Sequence, residues 1–129
     1  MSTFDQIASH LEFLGYEVTQ LDSGGKRAKH PRYFNHVIQE FGGGFLFSAL
    51  FRVNARGKRD RGGVMEGINE MNRDLAVCRC YIDKDFDFII EAWFPNIYDR
   101  AAFGSFMDRI NTDIRRLGGD GVKMAEYLE

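Results

Sequence analysis

Apolar residues recur along the chain with two different spacings, which together predict an alternation of helices and strands. Steps of three and four residues are typical of helices with one buried face, and they occur over residues 3–14, 65–75 and 99–117. Steps of two residues are typical of strands. Such two-residue steps occur over residues 16–21, 33–41, 45–53, 77–82 and 86–94, and they are weak only in the first of these stretches. The predicted order of elements is therefore helix, three strands, helix, two strands and helix.

This order predicts an α+β fold in which helices pack mainly on one face of an antiparallel sheet. The strand over residues 45–53 is apolar on both of its sides, which is typical of a central strand. Three helices can hardly cover both faces of such a sheet, so we expect part of one face to remain open. We further predict a single domain over residues 1–119 and a C-terminal tail over residues 120–129.

The side of the sheet opposite the helices is predicted to carry a mixed apolar and charged surface. Exposed aromatic and aliphatic side chains flanked by arginine are typical of protein interfaces. The pattern therefore indicates a partner-binding surface, unless loops or the tail cover this side of the sheet. The candidate partner-binding residues are Leu46, Leu50, Arg79, Tyr81, Ile89 and Trp93.

Charge is unevenly distributed along the chain, although 17 Lys and Arg against 19 Asp and Glu give a net charge of only −2. Residues 26–61 hold nine bases and two acids, a balance of +7, which leaves −9 for the rest of the chain. Two stretches predicted as basic loops, 26–32 and 56–61, carry most of this surplus. They indicate an alternative function, the binding of nucleic acid or another polyanion. Its candidate residues are Lys26, Arg27, Lys29, Arg56, Lys58 and Arg59.

Solvated loops are favoured over this alternative, because aromatic side chains that could stack on bases are not interleaved with the charges. No residue cluster has the spacing of an active site. The two cysteines, Cys78 and Cys80, lack a second Cys or His pair with zinc-site spacing, so we expect reduced, buried thiols. We expect no enzymatic activity, no cofactor and no metal. Without a signal pattern or a long apolar run, we predict a cytoplasmic protein with no membrane partner.

The central stretch carries a family resemblance. It consists of Ile68-Asn69-Glu70-Met71-Asn72, the strand over residues 76–82, the turn Asp83-Lys84-Asp85 and the segment Phe88-Ile89-Ile90-Glu91. These residues resemble the YbjN family of proposed bacterial sensory transduction regulators, in which an Asn-x-x-Asn helix end, a strand, an acidic turn and a strand ending in an acid follow one another. The order of elements agrees up to about Leu117. It departs where residues 93–97 replace an expected glycine-rich turn.

The resemblance implies a fold similar to type III secretion chaperones and a small cytoplasmic protein, often dimeric, that binds another protein. We therefore expect a non-enzymatic protein-binding module, chaperone-like or regulatory. It would hold a segment of an unknown partner, or a second copy of itself as a homodimer, against the open sheet face or an exposed strand edge. Asn69 and Asn72 are expected to tie the central helix to the backbone of the following hairpin.

Overall fold

An antiparallel sheet of six strands forms the centre of the molecule, and the computed structural model describes all 129 residues. In chain order the helices and strands are α1 Thr3–Phe13, β1 Glu17–Gln20, β2 Lys26–Lys29, β3 His36–Phe41, β4 Gly44–Phe51, α2 Ala55–Arg59, α3 Arg61–Asp74, β5 Arg79–Ile82, β6 Phe88–Pro95 and α4 Arg100–Arg115. Two short 3-10 helices, Arg116–Gly118 and Lys123–Tyr127, follow. The strands lie in the spatial order β1-β2-β3-β4-β6-β5. No helix is both long and apolar enough to cross a lipid bilayer.

One face of this sheet forms the core with the helices. Every second residue of β4 and β6 is buried there against apolar side chains of α1, α3 and α4, because successive side chains of a strand point to opposite faces. The buried strand residues of the two central strands are Phe45, Phe47, Ala49, Phe88, Ile90, Ala92 and Phe94. The predicted α+β fold, with helices packed mainly on one face of an antiparallel sheet, is confirmed.

The longest helix, α4, begins where its sequence predicts. The Asp99 carboxylate accepts a hydrogen bond from the Ala102 N–H (2.8 Å), which satisfies one of the free donors of the first turn. An apolar stripe at three- and four-residue steps then faces the sheet. Its buried members are Phe103, Met107, Ile110 and Ile114.

The prediction of a basic loop over residues 26–32 is wrong in part, because strand β2 occupies Lys26–Lys29. Only Ala28 on this strand is fully buried, so the sequence offers no run of alternating apolar residues. The strand forms because β1 and β3 flank it and supply backbone partners on both sides, with Ala28 opposite Val18 and His36. Pairing therefore overrides weak intrinsic strand propensity.

The second predicted basic loop, 56–61, is also wrong, because these residues belong to α2 and to the start of α3. Asn54 caps α2 by accepting from the Gly57 N–H (2.9 Å), and Asp60 caps α3 by accepting from the Gly63 N–H (3.0 Å). Glycines in this stretch indicated a loop. In the structure Gly57 lies so close to Val53 that a Cβ would collide with the valine side chain.

The last ten residues, predicted as a tail, pack against these two helices. Met124 and Tyr127 are buried in the core. The Tyr127 hydroxyl donates to the Asp60 carboxylate (2.7 Å), and the Asn54 N–H donates to the Tyr127 carbonyl (2.8 Å). The C-terminal segment thus lies beside α2 and α3, away from the uncovered face of the sheet.

Candidate functional site

The second face of the sheet carries no helix, and we call it the open face. Residues directly opposite one another on paired strands share a face, so the register defines its members. Trp93 lies opposite Leu46, and Ile89 lies opposite both Leu50 and Tyr81. The open face comprises Glu17, Thr19, Arg27, Lys29, Val37, Gln39, Phe41, Leu46, Ser48, Leu50, Arg79, Tyr81, Ile89, Glu91 and Trp93. The structure thus brings together all six residues that the sequence proposes for partner binding.

Large apolar side chains on the open face are accessible to solvent. Leu50 and Phe41 are each 55% exposed, Trp93 is 45% exposed and Tyr81 is 41% exposed. Ile89 is nearly buried among them, at 9%. A folded chain rarely leaves several large apolar side chains together on one surface unless something binds there.

Trp93 forms one corner of the open face. Its indole N–H donates to the Phe41 carbonyl (2.7 Å), and its ring lies across Gly44, where any side chain would collide with it. The ring therefore lies flat beside the β3–β4 turn and forms one wall of a shallow groove of about 380 Å³. The groove is lined by Phe41, Gly42, Leu46, Val77, Cys78, Arg79, Glu91, Ala92 and Trp93.

A carboxylate lies at the bottom of this groove. The Glu91 side chain is only 3% exposed, and one of its oxygens accepts a hydrogen bond from Arg79 Nε at 3.0 Å and lies 2.9 Å from Arg79 Nη2 in an ion pair. Its second oxygen accepts from the Ser48 hydroxyl at 3.1 Å and from the Tyr81 hydroxyl at 3.5 Å. Burial and the nearby Glu91 charge raise the pKa of Tyr81, so its hydroxyl keeps its proton at neutral pH. The charge of Glu91 is therefore fully engaged within the protein.

The six residues of the polyanion alternative do not share one face. Lys26 points toward the helices, where its ammonium contacts Asp5 (3.9 Å), Gln20 (2.8 Å) and the ring of Phe4 (4.7 Å to the centroid). Arg27 lies on the opposite side of the same strand, with Lys29. The other three candidate residues, Arg56, Lys58 and Arg59, lie on α2. Among them, Arg56 forms an ion pair with Glu126 (3.6 Å).

Side chains of two helices bond the outer edge of β5 and the three residues just before this strand. Asn72 of α3 donates to the Cys80 carbonyl (3.0 Å) and accepts from the Cys80 N–H (2.9 Å), as a neighbouring strand would. The buried Asp113 of α4 accepts from the three successive N–H groups of residues 76–78, at 2.9 to 3.1 Å. The predicted role of Asn72 is confirmed, whereas the side chain of Asn69 makes no hydrogen bond to the hairpin.

Cys78, which lines the groove, and Cys80, which is buried in the core, have the chemistry of inert thiols. Burial raises the pKa of Cys80 to about 11. Burial, and then the Asp113 charge, raises the pKa of Cys78 still further. Both thiols are protonated at neutral pH, and a thiol is a far weaker nucleophile than a thiolate. No three His, Cys, Asp or Glu side chains converge in a way that could hold a metal ion.

Sequence reasoning missed several members of the open face. The list of candidate partner-binding residues omitted Phe41 and Ser48, although both follow the same alternation as their neighbours. Arg27 and Lys29 could not be placed there, because β2 was not predicted. Their basic character suggested a loop instead.

The fold is a type III secretion chaperone-like α+β fold, as its likeness to solved structures shows. Among solved structures, the chain is similar to YbjN from E. coli, with a TM-score of 0.71 and 13% identity over 97% of this chain and 94% of that one. It is also similar to a chain of the heterodimeric complex ExoU-SpcU from the type III secretion system of Pseudomonas aeruginosa. There the TM-score is 0.63, with 19% identity over 94% of this chain and 96% of that one. No protein-family model and no curated protein matches the sequence. The fold implied by the family resemblance is confirmed.

Proposed function

We propose that this chain is a non-enzymatic protein-binding module, chaperone-like or regulatory, whose contact surface is the open face. The observation that carries the proposal is the exposure of Leu50, Tyr81 and Trp93 together on a sheet face that no helix covers. Covering such apolar surface contributes favourably to association at about 25 cal/mol per Å². The partner is a segment of another protein, and a second copy of the chain is the alternative occupant.

The neighbours in fold support this proposal. One of them is part of a heterodimeric complex from a type III secretion system, and the other is described as a proposed transcription regulator. Both descriptions fit proteins that act by binding. We extend the proposal to a bacterial, cytoplasmic setting, in which the chain acts without a cofactor.

Binding of nucleic acid or another polyanion stays an alternative prediction. It requires Lys26, Arg27, Lys29, Arg56, Lys58 and Arg59 to act together. Lys26 faces the helices, and Arg56 pairs with Glu126, so the six side chains do not present a continuous basic surface. The placement of the charges therefore favours protein binding.

Affinity capture with matched variants tests the proposal. The tagged full-length chain is used to capture partners from a lysate of its own cell, with and without nuclease, and the bound material is washed at low and high salt. We expect a discrete protein that survives nuclease and high salt, and that is lost with the double variant Trp93→Ala and Tyr81→Ala. The control removes two exposed aromatic side chains elsewhere, Phe13→Ala and Tyr33→Ala.

Circular dichroism of each variant verifies that the fold is intact. Capture of the same protein by the wild type and by the open-face variant would contradict the proposal. Recovery of nucleic acid that disappears as the salt concentration rises would support the polyanion alternative instead.

A further inference from the structure

We propose that the segment held on the open face is acidic as well as apolar, and that Arg79 pairs with one of its carboxylates. This inference rests on the proposed function, and it specifies the chemistry of the partner. It depends on the charges that the open face presents outward, on the hydrogen bonds of Arg79, and on the distance between the two basic ends of the face.

The charges that a partner would meet on the open face are mostly positive. Arg27, Lys29 and Arg79 are exposed there, and Glu17 is the only exposed acid among the members of the face. Glu91 is buried at the bottom of the groove, with its oxygens already bonded. With Glu91 included, the open face holds three bases and two acids, a balance of +1, whereas the whole chain has a net charge of −2. A complementary partner carries acidic side chains.

Arg79 has hydrogen-bonding capacity left for such a partner. A guanidinium group has about five N–H donors, of which Arg79 directs the one on Nε to a Glu91 oxygen, while Nη2 lies in ion-pair contact with the same oxygen. The remaining donors are unused, and the side chain is 63% exposed. Glu91 holds the guanidinium in place and thus acts as a positioning residue. The apolar wall formed by Trp93 lies in the same groove.

A second basic position lies at the far side of the open face. One line of directly opposed residues crosses all six strands in the order Thr19, Arg27, Val37, Ser48, Glu91 and Arg79. The backbone of Arg27 pairs with both neighbouring strands, but its side chain makes no hydrogen bond or ion pair within the chain. Four strand spacings separate it from Arg79, which is about 19 Å. An extended segment that reaches both therefore has its acids about six residues apart, with apolar side chains between them.

The same charges disfavour a second copy as the occupant. Two copies that paired symmetrically through their open faces would present the same three bases to each other. Like charges brought together across an interface oppose association. A segment with acidic and apolar side chains meets no such repulsion.

Selection from a random-peptide phage library tests this inference, with the full-length wild-type chain as the bait. We expect the enriched peptides to combine Asp or Glu with large apolar residues, and to contain few Lys or Arg. The best peptide is then synthesised with a fluorescent label, and its binding is measured by fluorescence anisotropy. We expect Arg79→Gln to weaken this binding about tenfold. The control Arg109→Gln removes the same charge from the exposed surface of α4 and should leave binding unchanged.

Several results would overturn the inference. One such result is the enrichment of peptides that are rich in bases or have no charge bias. Another is an equal affinity of the selected peptide for the wild type and for Arg79→Gln. If the selected peptides nevertheless bind more weakly to Trp93→Ala than to the wild type, the proposed function stands, and only the prediction of an acidic partner is contradicted. If no peptide is enriched, or if binding is unaffected by Trp93→Ala, both proposals fail. A dimer in analytical ultracentrifugation that Trp93→Ala dissociates would instead assign the face to a second copy.

Discussion

The two faces of one sheet differ in what covers them, although the same strands build both. On β4, Phe45 and Phe47 point toward the helices and are at most 2% exposed, whereas Leu50 points the other way and is 55% exposed. On β6 the helix side carries only apolar residues, whereas the open side carries Ile89, Glu91 and Trp93. The helix-covered face therefore stabilises the fold, and the open face is free for another role.

Polar groups differ between the two faces as well. On the helix side, His36 is buried with both ring nitrogens unbonded, next to Tyr16 and Phe47. On the open side, the buried Glu91 has a hydrogen-bonding partner at each oxygen. A buried polar group without partners lowers stability, whereas a bonded one need not. The comparison predicts distinct effects of substitutions on the two faces.

The largest loss of stability is expected when a core residue of β4 is replaced. Phe47→Ala should lower the free energy of unfolding by about 3–5 kcal/mol, because it leaves a cavity among aromatic side chains. Leu50→Ala, on the opposite face of the same strand, should cost less than about 1 kcal/mol. Urea denaturation of both variants measures the difference. Similar losses would mean that the open face also stabilises the monomer.

The next largest effect depends on pH. Burial lowers the pKa of His36 to about 4, from 6.5 in an unfolded chain. Between these two pH values the unfolded state binds a proton that the folded state does not, so stability falls as the pH drops through this window. Below about pH 4, the free energy of unfolding is lower by about 3 kcal/mol than at neutral pH because of this group. His36→Phe should remove this part of the acid sensitivity. Urea denaturation from neutral pH down to about pH 4 checks it, and parallel curves for variant and wild type would contradict it.

A smaller effect is expected at the buried carboxylate of the open face. Glu91→Gln should lower the free energy of unfolding by about 1–2 kcal/mol, because it removes the negative charge to which the Arg79, Ser48 and Tyr81 side chains donate. The exposed Glu40, on β3, provides the control, and Glu40→Gln should cost less than about 0.5 kcal/mol. Urea denaturation at neutral pH compares the two variants. Equal stability of both would show that the Glu91 network does not stabilise the fold.

Sequence patterns predicted the fold where burial is periodic. The alternation in β4 and β6 and the helical stripe after Asp99 each reflect one buried face, which sequence spacing encodes directly. The same alternation placed Leu46, Leu50 and Trp93 on one surface. The fold class and the six predicted partner-binding residues of the open face follow from such local patterns.

The remaining features depend on contacts between distant parts of the chain. β2 forms because strands on both sides bond to it, although only Ala28 in it is fully buried. Gly57 indicated a loop, but it allows close packing of α2 against Val53. Asp113 accepts from three N–H groups that lie more than 30 residues before it. No local spacing in the sequence indicates these contacts.

Photo-crosslinking in the native cell tests most directly whether the open face binds a partner. A photoreactive amino acid replaces Leu50 on the open face in one version of the protein and Arg109 on the helix side in another, since both positions are exposed. Our account predicts a covalent adduct to another protein from position 50 and none from position 109. An adduct from position 109 alone, or none from either, would contradict it.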